Sequence, residues 1–144
     1  MSTLNKYAHD VLVNYSVHAC TDVTGFALLG HSLEMAQGSG VTVHLKAQAV
    51  PITRKHTRWR TWALFLPAHI ATVILPKQVV RVVGAVARAR AGYTFYDRRR
   101  AELLCAVPAV EAEACLVELL AVAPSTRIIG YVTEKLDSAI YLEA

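Results

Sequence analysis

The feature that most constrains this chain is the run Val17-His18-Ala19-Cys20-Thr21-Asp22-Val23-Thr24-Gly25-Phe26-Ala27-Leu28-Leu29-Gly30-His31. Val17 to Cys20 is short and extended, and Thr21 to Gly25 holds the residue types of a turn. From Phe26 onward, Leu29, Gly30, Leu33 and Gln37 recur at helical spacing. A strand, a glycine turn and a helix in such close succession place the helix back against a sheet, because each has an apolar side to bury.

The flanks are equally regular. Ser2 or Thr3 can cap a first helix whose Leu4, Tyr7, Ala8, Val11 and Leu12 share a face. Gly38-Ser39-Gly40 ends the helix that starts near Phe26, and Val41, Val43 and Leu45 then alternate with polar residues as a half-buried strand does. Further on, Leu103 to Val107 is a short apolar strand and Pro108 marks the turn into a helix. On that helix Ala112, Cys115, Leu116, Leu119 and Leu120 form one stripe, with Glu111, Glu113 and Glu118 outside it. Pro124 stops the helix, and Arg127 to Val132 reads as a last strand. This order predicts an α+β fold, helices packed on a mixed β-sheet, in a single domain over residues 1–144.

The centre breaks the pattern. Between Thr53 and Arg100 there are eleven Lys or Arg and one acid, Asp97, whereas the remainder holds four basic residues and ten acidic ones. Arg54 to Arg60 alternates cations with Trp59, Val79 to Arg90 reads as a basic helix, and turn residues are sparse. Trp62 to Leu75 is uncharged if His69 is neutral, but it is shorter than the ~20 residues a membrane span needs, and Pro67 and Pro76 interrupt it.

Composition narrows the class. At 54% hydrophobic and 18% charged residues, the chain is neither a disordered tail nor a coiled coil. Cys20, Cys105 and Cys115 show no metal-ligand spacing and read as small buried hydrophobes. An odd number of cysteines, with no basic-then-apolar leader from Met1 to Tyr15, predicts reduced thiols and a cytoplasmic location.

One carboxylate stands where chemistry is possible. Asp22 lies at the end of the strand, beside the turn and the helix start. A carboxylate there can hold Mg²⁺ with phosphate oxygens as co-ligands, and the free N–H groups of a helix start suit an anion. Spacing alone equally allows the plainer reading, in which Asp22 or Thr24 caps the helix. His18 and His31 flank the motif without an acid partner fixed by spacing, so His31 reads as a helix-surface or packing residue.

Thr21-Asp22-Val23-Thr24-Gly25-Phe26 followed by Leu28-Leu29-Gly30-His31 resembles the signature of the selenophosphate synthetase (selenide, water dikinase) family. More distant relatives such as aminoimidazole ribonucleotide synthetase share only the Asp-x-Thr-Gly core. Thr3-Leu4-Asn5-Lys6-Tyr7-Ala8, Glu34-Met35-Ala36 and Gly38-Ser39-Gly40-Val41 extend the likeness, and Leu103 to Pro108 with Arg127 to Val132 resembles the family's C-terminus. Ala27 departs from it, standing where the family usually has Gly; a positive φ there would make Ala a handicap. The resemblance implies the C-terminal domain of an enzyme that uses ATP and Mg²⁺ to convert selenide to selenophosphate, with Asp22 as a metal ligand. It implies that the nucleophilic Cys or Sec, its partner Lys and the other metal carboxylates belong to an N-terminal half. None of the three cysteines matches the nucleophile, so no residue of this chain is assigned a catalytic or ATP-binding role. The chain alone is expected to be inactive and to bind neither ATP nor Mg²⁺ tightly. Its implied partners are that N-terminal domain or a second copy, together with small-molecule substrates, and no membrane.

The same resemblance bears on the centre. The family carries Asp-Pro-Gln-Thr-Ser-Gly-Gly before its C-terminal strand, where this chain has Asp97-Arg98-Arg99-Arg100-Ala101-Glu102. Loss of one cytosine from the proline codon turns the first reading into the second. A permitted codon choice for Trp62 to Val73 likewise contains, in a neighbouring frame, the family's Gly-Thr-Tyr-Arg-Asn-like segment. Residues 53–100 are therefore expected to be translated out of frame, and to be irregular or helical by propensity alone. The competing reading is a basic nucleic-acid-binding insert, with Trp59, Trp62 and Tyr93 for stacking, and it ranks well below. An assembly module exposing Trp62, Leu64 and Phe65 is compatible with the family reading.

Overall fold

The computed structural model describes residues 5–24, 26–51, 79–84 and 102–144. The sequence readings for residues 1–4, for Gly25, and for 52–78 and 85–101, the apolar run and most of the basic tract included, lie outside these residues. The described chain runs helix α1 (Asn5–Leu12), strand β1 (Ala19–Val23), helix α2 (Ala27–Ser39) and strands β2 (Val41–Lys46), β3 (Val80–Val83) and β4 (Glu102–Ala106). Helix α3 (Ala109–Val122) and strands β5 (Gly130–Glu134) and β6 (Ile140–Glu143) complete it.

The strands form two sheets. β1 and β4 make an antiparallel ribbon, and a second sheet has the order β3-β6-β2-β5. In that sheet β2 is antiparallel to β5 and parallel to β6, and β3 is parallel to β6. The architecture is the α+β fold with a mixed sheet that the residue pattern predicts.

Alternation along β2 decides what each face of the larger sheet does. Leu45 is buried with Ala47, Ile140 and Leu142 against Leu29 of α2, and Val43, Leu28 and Leu33 pack around them. The fully buried Leu29, Leu45, Ile140 and Leu142 each contribute roughly 1.5–3 kcal/mol by leaving water. Thr42, His44 and Lys46 point to the opposite face. A second cluster joins Leu12 of α1 to Cys115 and Leu119 of α3, over Leu103 and Cys105 of the ribbon. Helix α2 touches both sheets, which explains why its buried residues include Ala27 and His31 as well as Leu29, Ser32 and Ala36. α2 ends on Gly40 at φ 65, a left-handed position that favours glycine.

The segment after α1 is latched to α3. The Ser16 backbone N–H donates to Glu111 Oε2 at 2.8 Å, and its hydroxyl donates to Glu111 Oε1 at 2.9 Å. A hydrogen bond to Glu118 pushes the Tyr15 phenol up to about 12.

Four sequence readings need correction. Val80–Val83 is a strand and not part of a basic helix. Its β-branched residues are poor helix formers, and the edge of β6 offers them a ladder. The ribbon strand extends through Asp22 to Val23, so Asp22 belongs to β1 and the turn starts at Thr24. Phe26 is 64% exposed and precedes the helix instead of lying on its buried face. Finally, β6 was not anticipated, although Ile140 and Leu142 are fully buried at the centre of the larger core.

Candidate functional site

Asp22 is the penultimate residue of β1, paired with Leu103 of β4, and its side chain is exposed. Val23, next in the strand, is buried and anchors the ribbon end. The chain then turns sharply. The Ala27 N–H donates to the Thr24 carbonyl at 3.1 Å, and Ala27 has φ 57, the one positive φ at a non-glycine residue among those described. This is the position at which the resemblance puts glycine. Ala tolerates it at a cost of about 1–2 kcal/mol, because Cβ crowds the following carbonyl.

His31 holds the turn from inside. It is buried at 6% exposure, and its Nε2 accepts the Thr24 backbone N–H at 3.0 Å, with the Thr24 hydroxyl 3.4 Å away. Accepting there assigns the ring proton to Nδ1. Nδ1 lies 3.2 Å from Glu34 Oε2, but out of line, so it makes no directed hydrogen bond. The Phe26 ring meets the imidazole edge-on at 5.9 Å. His31 is thus a buried tie between helix and turn, not a surface residue, and an acid does stand beside it. The i to i+3 spacing of His31 and Glu34 was the available signal.

The capping alternative fails. Phe26 occupies the N-cap of α2 and no side chain bonds to the cap, so neither Asp22 nor Thr24 fills that role. Asp22 is free of that duty and faces solvent. Among the described residues, however, no three His, Cys, Asp or Glu converge in a way that could hold a metal ion. Mg²⁺ is bound through one or two carboxylates plus phosphates and waters. One exposed carboxylate fits as a single ligand of a shared site and does not make a metal site by itself.

A second polar group was not foreseen. On the face of the larger sheet away from α2, His44 is stacked between Tyr131, 4.5 Å away and 8° from parallel, and Tyr141, at 5.0 Å and 12°. Its Nδ1 is 2.9 Å from Glu143 Oε1 and its Nε2 is 3.1 Å from the Thr133 hydroxyl. The Tyr131 hydroxyl donates to the same Glu143 oxygen at 2.9 Å. The His44 hydrogen bond is the chief reason that the Glu143 carboxyl lies below the usual carboxylate range. In sequence these residues lie on three strands, and only the strand register brings them together.

The thiols divide by environment. Cys115 is buried as expected, Cys105 is half-buried, and Cys20 is exposed, against expectation. Burial pushes the Cys105 thiol up to about 11. No helix among the described residues is long and apolar enough to cross a membrane.

Comparison with known proteins places this geometry. The model of the family "AIR synthase related protein, C-terminal domain" matches residues 4–143. "Selenide, water dikinase" of Clostridium botulinum (strain Eklund 17B / Type B) is 31% identical over 143 residues, covering 99% of this chain and 41% of the relative. The protein of that name from Pelobacter propionicus is 32% identical over 144 residues, again 41% of its length. That from Trichlorobacter lovleyi is 56% identical over 52 residues, 36% of this chain and 15% of the relative. The chain thus spans about two fifths of the length of the relatives it matches end to end. It belongs to the AIR synthase related protein family, as that family's C-terminal domain, and resembles the form carried by selenide, water dikinases.

Proposed function

We propose that this domain serves a selenide, water dikinase, the enzyme that uses ATP, Mg²⁺ and water to turn selenide into selenophosphate. Asp22 is its contribution to the metal site. The observation that carries this reading is the placement of an exposed carboxylate at the end of β1, beside a turn that His31 fixes from within. Phosphoryl transfer depends on several groups clamping phosphates and metal together. One carboxylate does not suffice, so the isolated chain turns over no ATP and the remaining groups come from the N-terminal part of the whole protein.

A graft tests this without involving the chain's centre. Residues 1–51 replace the matching segment of the Trichlorobacter lovleyi relative, and selenophosphate formation is followed by phosphorus NMR. The graft is expected to keep Mg²⁺- and ATP-dependent activity, and Asp22→Asn in the graft to lose at least tenfold. Equal activity with Asn at that position removes Asp22 from the metal site.

The atypical centre belongs to the same proposal. Residues 53–100 are out-of-frame translation between two family blocks. One observation supports it: the concentration of cations there. Strand β3 is compatible with it, since a Val-Val-Arg-Val-Val run pairs with an open edge whatever its origin. Val82 and Val83 there remain 52% and 44% exposed, while Val80 packs against the core.

A further inference from the structure

Cys20 and Cys105 are remote in sequence, yet the register of β1 and β4 sets them directly opposite each other. Residues facing one another across an antiparallel pair project to the same side of the ribbon. Their Cα atoms lie about 4.5–5.5 Å apart whichever type of pair they form, inside the roughly 4.4–6.8 Å that a disulfide spans. Both thiols are free. Cys20 is open to solvent and lines a groove with His9, Leu12 and Leu103, while Cys105 sits against the cluster of Leu12, Cys115 and Leu119. One thiol is thus reachable by a reagent, and its directly opposite neighbour across the ribbon is the other thiol.

We propose that Cys20 and Cys105 form a modification site, a dithiol that a peroxide closes to a cross-strand disulfide. The Cys20 sulfur attacks the peroxide O–O bond, which breaks to leave a sulfenic acid and one water. The Cys105 sulfur then displaces the sulfenic oxygen as a second water. Two electrons pass from the thiols to one peroxide, and the two thiol protons leave in the waters. A two-stranded ribbon is marginal without such support. The bond lies two residues before Asp22 in the same strand and on the same face, so oxidation stiffens the element that carries this carboxylate.

The test uses the 144-residue chain, fully reduced, then treated with hydrogen peroxide and analysed by intact mass and by non-reducing proteolytic mapping. The expected result is loss of two hydrogens and one linked peptide pair holding Cys20 and Cys105. Cys115→Ala should leave that link intact, and Cys20→Ser, at an exposed position, should abolish it. The same oxidation in concentrated urea provides the unfolded reference, where the preference for this pair should disappear. A Cys105–Cys115 link, a dimer joined through Cys20, over-oxidation of Cys20 with Cys105 still free, or the same mixture of links in buffer and in urea would each overturn the proposal.

Discussion

At Ala27 the backbone adopts φ 57 with a side chain that disfavours it, on the first residue of the helix behind Asp22. The strain is local, so removing Cβ is expected to relieve it. Ala27→Gly should stabilise the chain by about 1 kcal/mol, the gain in the folded state exceeding the added freedom of the unfolded one. Urea denaturation of the two chains measures it, and a loss of stability would mean that the Ala27 methyl packs better than its backbone suffers. Glu143 makes a second residue-scale prediction. A carboxyl depressed in the folded state adds stability that is present above the unfolded value of about 4.3 and is lost as pH falls through the lower folded value. Melting temperature should therefore fall with acid across that interval, and Glu143→Gln should flatten the decline. An unchanged acid limb would show that the contacts with His44 and Tyr131 do not hold the carboxylate.

At the scale of elements, close backbone approach and core packing decide which strands are indispensable. A Cβ on Gly130 would collide with the His44 carbonyl oxygen, so Gly130→Ala must push β5 off β2. The expected cost is on the order of 3 kcal/mol, measured by denaturation, with amide protection lost along Gly130–Glu134. Ile140→Ala in β6 should cost roughly 2–5 kcal/mol, because the cavity opens between α2 and the middle of the sheet. The legible elements were those with punctuation. Gly40 and Pro108 bracket α2 and α3 closely, and alternation marks β2. β6 was missed because Ile140–Glu143 is only four residues long, too short for its alternation to stand out. β3 was missed because its valines sit among cations spaced like a helix. Of the candidate site, only Asp22 stood out in the sequence. The tie from His31 to Thr24 bridges a turn, and the His44 group needs three strands in register, which no local pattern displays.

At the scale of the whole molecule, two family-like blocks share one fold. Strand β2 from the first block takes β5 and β6 from the second as neighbours, and the ribbon joins β1 to β4 in the same way. The two family-like blocks therefore complete each other, and residues 80–83 add the edge strand β3 to their sheet. The most direct measurement is the coding DNA across Thr53 to Glu102, sequenced independently and translated in all three frames. Neighbouring frames should yield Gly-Thr-Tyr-Arg-Asn and Pro-Gln-Thr-Ser-Gly, joining the two blocks into one continuous family domain. A verified reading frame with nothing of the kind in its neighbours would make the basic centre a genuine insert and contradict the proposal that the domain is interrupted by a slipped frame.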